Sequence, residues 1–314
     1  MQHAVDCFVR LVRVLLGPAA IADDKVECGR ELTVLGIAIS MQQDGFTFKP
    51  SPDKVRQWVR AMQEAVTKGT LMPGQAMKLA GKLSCGSTRM FKHYGRAMLR
   101  PVFDQQTKSS GEIDSELRRA LLWWIGVLSR EIVETRLWQQ PQSDHLHLFC
   151  DARGQPPHLG AVLVSNTSCL WTHHRPHNDT IDLFRSRKDH QIMGLELLSI
   201  SLGIHTFADE IKNQRLVIHS DNRGSELAMR RGSAKVWDHA QLVHQLWEDL
   251  LMLSTQVFVV RVSTNANIAD PPSRESFSIF EHVGAVFREP RLPDVYGLAS
   301  TWEALHERLM HHGR

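Results

Sequence analysis

Apolar positions follow two periods along this chain, and the change falls near residue 140. Before it, apolar residues recur three and four apart, as on one face of a helix. Residues 1–17 predict a helix closed by Gly17-Pro18. Asp6, Arg10 and Arg13 interrupt its apolar residues, which suits an amphipathic helix better than a secretion signal. Glu31 to Ile39 is a β-rich apolar run that predicts a strand or hairpin, with Gly45 in the turn after it. Pro50-Ser-Pro-Asp53 opens the next helix, with Ser51 or Asp53 as N-cap and Val55, Trp58, Val59 and Met62 on one face. The stretch from Lys68 to Gly74 breaks it, and helical character returns from Gln75 to about Phe103. Residues 112–137 give the clearest helix, through Ile113, Leu117, Leu121, Trp124, Leu128 and Ile132. Gln139 to Ser143 is a short polar linker and marks a domain boundary.

Past the linker the period shortens. His145 to Cys150 alternates like a strand, and Gly160–Val164 and Ser168–Thr172 predict two more. A helix over 191–208, a strand over Arg215–His219, helices over 222–231 and 237–254, and a strand over 256–262 follow. This order predicts an α/β fold with a mixed five-stranded sheet and flanking helices. The tail from Ser276 reads as irregular, with a last helix at 300–311.

Composition adds little until it is divided. With 314 residues and 42% hydrophobic content, the chain can bury real cores. No apolar run is long enough to span a bilayer, so no membrane role is expected. Five cysteines without a CxxC pair argue against a disulfide scaffold or zinc knuckle and favour a reducing, intracellular setting. The net charge of +3 hides an asymmetry. Residues 1–140 carry 20 basic and 14 acidic side chains, whereas 141–314 carry 17 and 20. Such a split points to a polyanion held by the first half and metal-binding acids in the second.

Four acids stand out in the second half. Asp151 and Asp221 follow the first and fourth predicted strands, where α/β sheets open their functional crevice. Glu196 is embedded among apolar residues in Gly194-Leu-Glu-Leu-Leu198, a costly place for a charge unless it is paired or binds metal. Asp270 follows the last strand, in Asn267-Ile-Ala-Asp-Pro-Pro-Ser-Arg274. Singly, Asp151, Asp221 and Asp270 read as turn formers or caps. Together, four converging carboxylates call for divalent cations, and oxygen-only ligation favours Mg²⁺ or Mn²⁺. Two such ions assist phosphodiester hydrolysis by stabilising the attacking and leaving oxygens.

These residues resemble the ribonuclease H domain of retroelement Pol polyproteins, gypsy-like or, more closely, DIRS-type. The matched pieces are Phe149-Cys-Asp151-Ala, Gly160-Ala-Val-Leu, Leu195-Glu196-Leu, His219-Ser-Asp221-Asn and Asn267-Ile-Ala-Asp270-Pro-Pro-Ser-Arg274. Upstream, Lys25-Val-Glu-Cys-Gly, Val34–Ser40, Pro52-Asp-Lys54-Val, Gly81-Lys-Leu-Ser84 and Tyr94–Pro101 resemble a reverse transcriptase palm running into its thumb. The resemblance implies a palm remnant over 1–48, a helical thumb or connection region over 49–140, a ribonuclease H-like domain over 144–275 and a tail over 276–314. It implies that Asp151, Glu196, Asp221 and Asp270 are catalytic and hold two Mg²⁺ or Mn²⁺ ions. The implied activity is endonucleolytic cleavage of the RNA strand of an RNA–DNA hybrid. Asp23-Asp24 lacks the aromatic residue of a polymerase motif, so a C-terminal Pol fragment without polymerase activity is expected. Cleaving members often carry a His before the last Asp, and Ser263–Asn267 has none. The alternative is an inactive nucleic-acid-binding remnant.

A basic stripe supplies the expected duplex contact. No acid occurs from Ala65 to Phe103. On one continuous helix, Lys78, Lys82, Arg89, Lys92, Arg96 and Arg100 fall within an arc of about 80°, a face suited to tracking phosphates without reading sequence. His173, His174 and His177 match no common metal spacing and read as loop residues, and Trp123, Trp124, Trp138 and Trp171 read as core.

Overall fold

The amphipathic start folds as α1 (Gln2–Leu16), ended by Gly17 at φ 103° and by Pro18. It belongs to a computed structural model that describes residues 2–34, 36–89, 93–130, 133–138, 145–182, 184 and 191–292. The linker at 139–143, Lys92, Ile132 and the tail helix at 300–311 lie outside the described residues. The β-rich run becomes β1 (Glu31–Val34) and β2 (Ile37–Met41), followed by β3 (Gly45–Pro50). The four helices that follow are α2 (Pro52–Lys68), α3 (Pro73–Arg89), α4 (Arg100–Asp104) and α5 (Ser115–Leu128). Trp58, Met62, Leu79, Leu83, Leu117, Leu121 and Trp124 fill their common core. Ser51 occupies the N-cap position of α2, but its side chain makes no capping bond. Asp114 does cap α5, accepting from the Leu117 N–H at 2.8 Å.

Two predicted helices are shorter than the periodicity suggested. The helix over 112–137 stops at Leu128, and Glu134–Leu137 becomes β4, paired antiparallel with β3. Val133 and Thr135 are β-branched, and a free sheet edge beside them outweighs continued helix. The strand also ties 134–137 to the first sheet, so the expected division at 48/49 crosses a β3–β4 pair. The helix over 75–103 ends at Arg89 and restarts only as a 3₁₀ turn at Ala97–Leu99 and α4. Between them Gly95, at φ 81°, lies so close to Trp123 and Trp124 that an added Cβ would sit 2.7 Å from one ring. Trp123, Trp124 and Trp171 are buried as expected, but Trp138 is 51% exposed and leans on Phe46.

The second half is mixed α/β, built on a mixed six-stranded sheet. Its elements are β5 (Leu146–Gly154), β6 (Pro157–Val164), β7 (Cys169–His174), α6 (Asn178–Asp182), α7 (Ile192–Thr206), α8 (Ala208–Ile211) and β8 (Arg215–Ser220). They continue as α9 (Arg223–Arg231), α10 (Trp237–Met252), β9 (Gln256–Arg261), α11 (Asp270–Ser273), α12 (Ser278–His282) and β10 (Val286–Phe287). The strand order is β10-β7-β6-β5-β8-β9. β5, β6 and β7 run antiparallel, β8 and β9 lie parallel to β5, and β10 lies parallel to β7. Five strands were expected; the sixth, β10, comes from the stretch read as irregular, where α12 also forms. His173 and His174 lie in β7 rather than a loop.

Leu148 and Cys150 of β5, and Leu216 and Ile218 of β8, belong to the same main core as α7. That helix is apolar on nearly all sides, which is the signature of a buried helix. The two halves meet at α10. The Tyr94 hydroxyl donates to Glu248 at 3.0 Å, and its ring stacks on His244 at 5.5 Å. Burial pushes the His244 imidazole down to about 3, so it is neutral at that junction. No helix among the described residues is long and apolar enough to cross a membrane.

Candidate metal centre

Three elements bring three carboxylates together. Asp151 lies inside β5 rather than just after it, because pairing with β6 continues to Gly154. Asp221 directly follows β8, as expected. Glu196 is in the first turns of α7, buried to 4% exposure among leucines. One oxygen from each of the three lies within 4.8 Å of the other two. Such a cluster can hold a metal ion. Among the described residues it is the one group of acids, histidines and cysteines with that geometry.

The electrostatics of the cluster suit a cation. Burial, then the Asp151 and Asp221 charges, push the Glu196 carboxyl up to about 9, against one favourable hydrogen bond from the Ala152 backbone. Burial also raises Asp151 to about 6, opposed by the Ser273 hydroxyl. Glu196 Oε2 is buried with no hydrogen-bond partner. A buried carboxylate oxygen left bare is costly, and a cation is the ligand that would satisfy it.

Asp270 stands beside this trio rather than in it. It opens α11, and its Oδ1 accepts from Arg274 Nε at 2.8 Å. Its charge still contributes to raising Asp151. The four-acid convergence is therefore three plus one, and Arg274 engages the fourth carboxylate.

Sequence reasoning assigned no role to two residues that fix Asp151. Ser273 donates to Asp151 Oδ2 at 2.5 Å, and Asn267 Nδ2 donates to Asp151 Oδ1 at 3.4 Å and to the Cys150 carbonyl at 3.0 Å. Both are buried. Their signal was present, because both lie in the Asn267–Arg274 stretch around Asp270. Gly160 makes this possible: it pairs with Asp151 across the strands, and α11 rests on it. A Cβ there would stand 2.6 Å from the Ser273 nitrogen and 2.7 Å from the Ala269 carbonyl. Both are backbone atoms, so α11 must move. Gly160→Ala should cost about 1–3 kcal/mol of stability, as overpacking does, measured by denaturant unfolding.

The basic stripe is redistributed. Lys78 and Lys82 are exposed on α3, and Arg89 is its last residue. Arg96 sits in the turn before the 3₁₀ segment, 3.4 Å from His93 Nδ1. Arg100 donates to the Lys235 carbonyl and lies 3.7 Å from Asp104. Those of the six that are described thus do not share one helical face, because α3 ends at Arg89 and helical structure resumes only at Ala97.

Comparison with known protein families and with curated proteins finds no match.

Proposed function

We propose that the second half is a ribonuclease H-like nuclease domain that cuts the RNA strand of RNA–DNA hybrids. The observation that carries this reading is the buried Asp151–Glu196–Asp221 cluster with its bare Glu196 oxygen. The strand and helix order around it supports the same reading, and so does the sequence resemblance to retroelement ribonuclease H domains. Asp151, Glu196 and Asp221 would hold Mg²⁺ or Mn²⁺, with Asp270 beside them for a second ion. The ions would supply an activated water and charge stabilisation at the leaving oxygen. Asn267 and Ser273 hold both oxygens of Asp151 in place before any ion arrives. Arg274 orients Asp270 and adds a positive charge at the rim. Lys78 and Lys82 remain available for a duplex backbone, and the first half serves as its support.

The test is cleavage of an RNA–DNA hybrid, labelled on one strand at a time, in Mg²⁺ or Mn²⁺ and in EDTA. Metal-dependent loss of the RNA strand alone, abolished by Asp221→Asn, is the expected result. Hybrid binding without cleavage, unchanged by Asp221→Asn, would instead favour a non-catalytic binding module.

A further inference from the structure

The sheet has a second face, and it is open at its β9 edge. Leu148, Cys150, Leu216 and Ile218 point to the core, so the residues alternating with them point the opposite way. These include His147 and Phe149 on β5, Arg215 and His219 on β8, and Phe258 and Val260 on β9. Over β6 and β7 this outer face is covered, where Ala269 and Phe280 pack on Val162 and Trp171, and Phe149 of β5 packs against the same cluster. Over β9 this face is open, while the outward residues of β8, Arg215, Val217 and His219, are half-buried. Phe258 is 59% exposed and Val260 43%.

The surface is ordered rather than merely uncovered. The strand register sets His147 beside Val217 and Phe258, and Phe149 beside His219 and Val260. The His219 ring lies flat on Phe149, 4.2 Å away with the planes 8° apart, and hydrogen-bonds His147 at 3.0 Å. Arg215 is the charged residue on the outward side of β8, and no carboxylate shares that side on β8 or β9. The same strands end at the acidic cluster. Asp221 is two residues past His219, and Asp151 is four past His147, or about 13 Å at strand rise.

We infer that this face of β5, β8 and β9 binds single-stranded nucleic acid and leads it to the acidic cluster. The exposed Phe258 ring, next to the stacked His219–Phe149 pair, offers a stacking surface, and Arg215 offers a phosphate contact. A duplex hides its base faces in its own stack, so an exposed ring selects unpaired bases. The inference rests on the nuclease reading only for what happens at the strand's end; the binding itself needs no ion.

Fluorescence anisotropy of short labelled oligouridine and oligothymidine, with the full chain in EDTA, tests this apart from cleavage. Phe258→Ala should weaken binding by about five- to a hundredfold, the range for loss of one stacked base. Arg215→Gln should lower the salt dependence by roughly one phosphate contact. The two oligonucleotides tell RNA preference from general single-strand binding, and either pattern supports the platform. Unchanged affinity and salt slope in both variants would overturn it. So would a dimer in size-exclusion chromatography that Phe258→Ala dissolves and oligonucleotide does not disturb, since the face would then belong to a second copy of the chain. Platform binding that persists while hybrid cleavage is absent would sink the nuclease reading alone.

Discussion

Glu196→Gln should make the metal-free protein more stable than the wild type at pH 8. The Glu196 carboxyl is raised to about 9, so the folded chain keeps a proton that the unfolded chain loses above its ordinary value of 4.5. Over that window the native state binds more protons, and wild-type stability falls as pH rises. The slope approaches about 1.4 kcal/mol per pH unit for one proton. Asp151 adds a similar slope between 3.8 and about 6. Glutamine has no proton to lose, so the Glu196 slope should vanish. A divalent ion competes with the same proton, so stabilisation by metal should grow with pH in the wild type. It should be small at every pH in the variant. Denaturant unfolding from pH 5 to pH 9, with EDTA or Mg²⁺, measures all of this. Parallel curves for the two proteins would show that Glu196 is not the strained group.

The second large effect concerns Asp151. It is the carboxylate with neighbours on every side: Asn267 and Ser273 hold it, and Glu196, Asp221 and Asp270 surround it electrostatically. Asp151→Asn removes its charge at nearly constant volume. Loss of a residue that merely orients a metal ligand costs about 10–100-fold; loss of the ligand itself should cost at least the upper end of that range in hybrid cleavage. Ser273→Ala should fall within the range, because it frees one oxygen of Asp151 without removing it. Initial rates on a labelled hybrid separate the two. Equal losses would place Ser273 in the chemistry rather than behind it.

How far the sequence could be read depends on what each residue's placement required. Glu196 was legible because an acid on an all-apolar helix has few explanations, and burial beside two other acids is one of them. Asp221 was legible because a strand ends just before it. The position of Asp151 was missed by a few residues, since the length of β5 is set by its pairing with β6 and not by its own alternation. The α5 boundary was missed for a related reason: helical spacing continues past Leu128, but β3 offers an edge that residues 134–137 complete. The basic arc assumed one straight helix, and the turn around Gly95 depends on two tryptophans that lie close only in the folded chain. Asp270 stands apart from the other three acids and pairs with Arg274, neither of which sequence spacing reveals.

The most direct test of the account is calorimetric titration of Mn²⁺ into the wild type, Asp151→Asn and Glu196→Gln at pH 8. The buried trio predicts a metal-binding heat in the wild type that both variants lose while remaining folded. Equal binding in all three proteins, or none in a folded wild type, would contradict a metal centre at Asp151, Glu196 and Asp221.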